Sequence, residues 1–151
     1  MRKLNLISTL LTILFLTVIT SCKDDSTSSN QPVIEISQVS ATIVDLNDCS
    51  IDSNDPATRY NFMLEYDASS EVSIDGVEFD LNWSNGDESP NIFANDVNVE
   101  ANTVDFNWCF RYGSTDWFEL DLKILAEDEQ IESNEFNLRV DKPNGANKSS
   151  Q

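Results

Sequence analysis

The residues able to do chemistry in this chain are three cysteines, three tryptophans and 27 carboxylates, and histidine is absent. Without an imidazole the commonest general base and the commonest zinc ligand are missing. Ser-His-Asp and Cys-His catalysis are therefore excluded. Carboxylate pairs remain, the chemistry of glycosidases, but so many acids meet by chance, and a small domain rarely holds the deep cleft such an enzyme needs. A small carboxylate hydrolase ranks below every non-enzymatic reading, and the chain is expected not to be an enzyme. The stretch Asp45-Leu-Asn47-Asp48-Cys49-Ser-Ile-Asp52-Ser-Asn54-Asp55 is rich in oxygen donors. Asp48, Asp52 and Asp55 are its calcium candidates, because calcium takes about six to eight oxygens. The spacing lacks the glycine-containing run and later glutamate of an EF-hand, so a solvated acidic loop is the expectation and no metal or other cofactor is assigned. Asn85-Gly86-Asp87-Glu88 poses the same question more weakly and reads mainly as a turn. Trp117 falls out of phase with Phe118, Leu120 and Leu122, so it is expected to be the most exposed aromatic. An exposed indole can stack on a sugar ring or anchor a protein partner. The competing expectation is packing under a loop or a corner position at the strand start.

The first 22 residues combine Met1-Arg2-Lys3, an apolar run from Leu4 to Ile19 diluted by hydroxyls, and Thr20-Ser21-Cys22. A basic start, a short apolar stretch and small residues before a break describe a secretory signal. The run is shorter than the roughly 20 apolar residues of a spanning helix. Ile19-Thr20-Ser21-Cys22 resembles the lipobox of bacterial lipoproteins. That resemblance implies cleavage before Cys22 and lipid on its thiol, with two or more acyl chains for stable anchoring. Lys23-Asp24-Asp25 is similar to the export signal of surface-exposed lipoproteins of Bacteroidota, and Asp25-Ser26-Thr27 resembles an O-glycosylation motif of that phylum. The implied location is the outer membrane, lipid-anchored at the cell surface, with the periplasmic face as the alternative. In an exported chain the two remaining cysteines, Cys49 and Cys109, read as a disulfide.

The whole chain carries a formal charge of -18. Removing the signal removes Arg2 and Lys3, leaving 7 basic against 27 acidic residues, or -20. Such a surface repels nucleic acid, so the expected partners are a membrane, through the lipid, and an unidentified protein or glycan.

The elements that must position these residues are strands. Residues 1–21 form the signal, 22–32 a polar tether, 33–142 a domain and 143–151 a polar tail. Within the domain apolar residues recur with period two: Tyr60/Phe62/Leu64/Tyr66, Val77/Phe79/Leu81/Trp83, Val104/Phe106/Trp108/Phe110/Tyr112, Phe118/Leu120/Leu122/Ile124 and Phe136/Leu138/Val140. Weaker candidates lie at 33–39, 41–46 and 96–100. Turns are expected at Asp75-Gly76, Asn85-Gly86, Ser89-Pro90-Asn91, Tyr112-Gly113-Ser114 and Glu127–Gln130. Seven or eight one-sided strands argue for an all-β fold, an antiparallel two-sheet sandwich, with a closed barrel as the alternative.

From Tyr60 to Pro143 the arrangement Val77-Glu-Phe-Asp-Leu-Asn-Trp83-Ser-Asn-Gly86, then Trp117 to Asp128, then Ser133 to Val140, resembles an immunoglobulin-like or fibronectin type III-like domain of bacterial surface proteins. The resemblance implies a core role for Trp83. The cysteines depart from the antibody pattern: Cys109 falls on the wet face of its strand and Cys49 in an irregular stretch, so their bond should pin that stretch across the outside of one sheet. A lipid-anchored, non-enzymatic binding or adhesion domain is the leading expectation. An accessory or structural subunit of an envelope complex, for polysaccharide capture or secretion, is second.

Overall fold

The computed structural model describes residues 31–50 and 56–146. The signal, Cys22, Asp52, Asp55 and residues 147–151 lie outside the described residues. No helix occurs among the described residues; nine strands do, in the order β1 (Ile34–Ser50), β2 (Pro56–Ala68), β3 (Ile74–Trp83), β4 (Glu88–Ala94), β5 (Val97–Glu100), β6 (Thr103–Phe110), β7 (Trp117–Ala126), β8 (Ile131–Glu132) and β9 (Phe136–Asp141). One sheet runs β1-β2-β6-β5. The other runs β4-β3-β7, with β8 and β9 in line along the far edge of β7. Every pairing is antiparallel. This is the expected two-sheet sandwich. Its nine strands occupy eight positions, because β8 and β9 are one edge interrupted at residues 133–135. The order matches the immunoglobulin frame, two sheets of ABED and CFG, with one added strand beside the third.

Period-two alternation explains the layers. Phe118, Leu120, Leu122 and Ile124 of β7 are fully buried, while Glu119, Asp121 and Lys123 between them are half-buried on the outer face. The two inner faces meet through aromatic rings. Phe110 stacks on Phe118 at 4.2 Å, Phe106 stacks on Phe79 at 5.8 Å, and Tyr60 meets Phe118 edge-on at 5.9 Å. Trp83 packs against this cluster at its rim, edge-on to Phe118 at 5.5 Å, in the core role expected of it.

Several local expectations are corrected. The two weak strands at 33–39 and 41–46, and the first residues of the irregular stretch that was to follow, are a single strand, β1 (Ile34–Ser50). Register shifts against β2 between Ile36 and Gln38, Ile43 and Asp45, and Asp45 and Cys49 break its phase. A one-residue bulge flips the inward face, which is why the pattern looks discontinuous. Asp75-Gly76 is no turn but lies inside β3. A Cβ on Gly76 would sit 2.5 Å from the Ala94 carbonyl oxygen and 2.7 Å from the Phe93 ring, so the glycine serves close approach of β4. Ser89-Pro90-Asn91 lies inside β4, an edge strand that tolerates proline. Asn91 takes a left-handed φ of 55°, and its N–H donates to Asp80 Oδ1 at 2.7 Å. Residues 143–146, assigned to the tail, form a turn closed by Ala146 N–H to Pro143 O at 3.1 Å, with Ala146 buried.

The disulfide forms between Cys49 and Cys109, with Cα atoms 6.0 Å apart. Its partners sit on β1 and β6, which flank β2. Strands two positions apart lie about 9.6 Å from each other, so the end of β1 must rise over β2. The register shows how: between Asp45/Arg59 and Cys49/Ala57, β1 advances four residues while β2 advances two. Arg59 Nε donates to Cys49 Sγ at 3.1 Å beneath this crossing. The bond therefore straps the outside of one sheet, as the parity of Cys109 predicts, and does not bridge the two sheets.

Candidate functional site

Antiparallel pairing of β7 with β9 places Trp117 opposite Asp141 and Glu119 opposite Arg139. Because Phe118 and Val140 point toward the core, these four alternate residues share the outer face. Diagonal neighbours on such a face lie within reach of long side chains, and Arg139 uses that reach: its guanidinium carbon lies 4.3 Å from the centre of the Trp117 ring. Arg139 Nε also donates to Asp141 Oδ1 at 3.1 Å. A contact of this kind contributes about 0.5–1 kcal/mol at an exposed site and favours the indole orientation that faces the guanidinium.

Beside the ring lies a groove of about 730 Å³, lined by Asp116, Trp117, Arg139, Asp141, Lys142 and the 143–146 turn. The chain leaving β9 is fixed here by Lys142 N–H to Asp116 O at 2.7 Å and by Lys142 Nζ to Gly113 O at 3.0 Å. From below, the Tyr112 hydroxyl donates to Asp141 O at 3.4 Å and shares a hydrogen bond with the Tyr60 hydroxyl at 2.6 Å. Burial raises the pKa of both phenols; for Tyr112 the hydrogen bond with Tyr60 and the nearby Asp141 raise it further. Both therefore stay protonated through neutral pH. Two carboxylates and two cations line the groove, so its formal charge cancels within a chain of net charge -18.

Trp117 is thus where its phase puts it, on the outer face, but half-buried with one side against Arg139. It is not the most exposed aromatic. Among the described residues Phe93 is, at 36%, because it stands on the outer face of β4 over Gly76. No periodicity or motif pointed to Asp116, Asp141 or Lys142 as neighbours of Trp117. Arg139 was on a wet face by its alternation with Leu138 and Val140, but only the β7/β9 register brings it to the ring.

Of the calcium candidates, Asp52 and Asp55 lie outside the described residues. Among the described residues no group of three or more His, Cys, Asp or Glu side chains is arranged to hold a metal ion. Asp48 lies in β1. Asn85 and Asp87 bond to each other across the β3/β4 turn, Asn85 Nδ2 to Asp87 Oδ2 at 2.6 Å, as the turn expectation has it. Glu127, Asp128 and Glu129 take three successive left-handed φ values in the β7/β8 turn. Compared with known proteins, the chain matches no family model, no curated protein and no solved structure.

Proposed function

We propose that this chain is a lipid-anchored, surface-displayed binding domain without catalytic activity, and that the Trp117 groove is its working surface for a glycan. The observation that carries the reading is the oriented Trp117 ring at the edge of a charge-balanced groove. A sugar offers an apolar C–H face to an indole and hydroxyls to carboxylates and a guanidinium. Asp116 and Asp141 accept hydroxyl hydrogens there, and Arg139 and Lys142 donate to ring and hydroxyl oxygens. Local neutrality removes the repulsion that the rest of the surface would exert on an acidic polysaccharide. The sequence at Cys22 supports the anchor and Lys23-Asp24-Asp25 supports display.

The test is glycan-array binding of the mature chain beside Trp117→Ala, with the melting temperature of both recorded. Binding by the parent and at least tenfold weaker binding by an equally folded Trp117→Ala support the reading. Equal binding by the two, or no glycan bound by the parent, overturns it. Loss of radiolabelled palmitate in Cys22→Ala and protease accessibility on intact cells test anchor and display separately.

A further inference from the structure

A second working surface lies on the opposite sheet. We infer that the free edge of β1 binds an extended, basic segment of a partner protein by strand addition. This goes beyond the groove and does not depend on it. β1 pairs with β2 alone among the described strands, so its other side presents backbone donors and acceptors. The other sheet edges are poor templates. β5 has four residues, β4 contains Pro90, and β8/β9 is interrupted. In β1, residues Gln38 to Ile43 run in unbroken register with Glu65 to Tyr60, a straight six-residue platform between two bulges.

Three features of that platform define the occupant. At Ile36 the Asn134 side chain already imitates a neighbouring strand: its Oδ1 accepts from Ile36 N–H at 2.6 Å and its Nδ2 donates to Ile36 O at 3.4 Å. This closes one end of the edge and leaves the stretch beyond it open among the described residues. At the other end Ile43 and Val44 are 42% and 55% exposed, an apolar contact for alternate side chains of an added strand. Natural edges are commonly guarded by lysine, yet β1 contains neither lysine nor arginine. Instead Glu65 faces Gln38 at one end of the platform, and Glu35 and Asp67 pair just past Ile36. An added strand alternating apolar and basic residues meets complementary charge there. A second copy of this chain brings the same acids and a net charge of -18, so like charges oppose self-pairing.

The experiment titrates the mature chain, at physiological salt, with a fluorescent acetyl-(Lys-Val)4-amide peptide. Three companion peptides are used: two N-methylated on one or the other alternate set of amides, and one with glutamate replacing lysine. Strand addition uses one alternate set of peptide N–H groups, so methylation of one set should weaken binding at least tenfold while the other set is tolerated. The glutamate peptide should bind at least tenfold more weakly. Ile43→Lys, at an exposed position and with an unchanged melting temperature, should weaken the parent peptide at least threefold, and Trp117→Ala should leave it unchanged. Equal binding of both methylated peptides would mean attraction by charge alone and overturns the proposal. So does absence of binding, or a peptide-free dimer that Ile43→Lys dissociates, which would assign the edge to a second copy.

Discussion

Reducing the Cys49–Cys109 bond tests how the strap contributes to stability. The bond closes a loop of 60 residues that runs through β2, β3, β4, β5 and most of β6. For a loop of that length the chain-entropy relation gives about 14 cal/mol/K, or about 4 kcal/mol at room temperature. The bond lies outside one sheet and leaves the inter-sheet core untouched, so its loss should act on the unfolded chain and leave the fold intact. Residues 31–146 unfold with an entropy of about 0.24 kcal/mol/K. The expected drop in Tm is therefore about 17 °C. Calorimetry of the oxidised chain, the dithiothreitol-reduced chain and the Cys49→Ala/Cys109→Ala double variant measures it. The reduced and double-variant chains should agree within a few degrees and keep the oxidised far-ultraviolet spectrum. Urea melts should show a larger m once the cross-link is gone, because the unfolded ensemble expands. A drop below about 5 °C on reduction refutes the loop-entropy argument. A large drop in the double variant alone assigns the effect to lost volume at buried Cys49.

Alkali should destabilise the fold through the Tyr60–Tyr112 pair. Both phenols have a raised pKa in the folded state, so the pair contributes fully below the ordinary value near 10. As pH rises above it, the unfolded chain loses those protons first, and each tyrosine removes about 1.4 kcal/mol per pH unit. Urea melts between pH 9 and pH 11.5 should show this fall, and Tyr60→Phe/Tyr112→Phe should flatten it; an unchanged slope in that variant refutes the assignment. Gly76→Ala should cost about 1–3 kcal/mol in the same melts, because the new methyl meets the Ala94 backbone and the Phe93 ring. A neutral effect there refutes the close approach of β4 to β3.

The strong alternations were legible because each is a local property of one strand. Phe118, Leu120, Leu122 and Ile124 announce a buried face whatever pairs with it, and the wet-face parity of Cys109 foretold a strap on the outside of a sheet. Where a strand bends or bulges, the same rule misleads. β1 reads as two fragments because its bulges shift phase, and Gly76 and Pro90 read as turns although they serve a close approach and a sheet edge.

By itself the sequence determined composition and period: an acidic chain without histidine, a one-sided strand pattern that argues for two facing sheets, and a Cys22 context that resembles a lipoprotein anchor. Tertiary structure decided everything that depends on register between distant strands. The β7/β9 pairing sets Arg139 on Trp117 and gathers Asp116, Asp141 and Lys142 around one groove. Among the described residues the sheet order leaves β1 as an open edge. The physical reason is that alternation fixes which face of a strand is apolar but not which strand lies beside it. That choice is made by packing the two inner faces together.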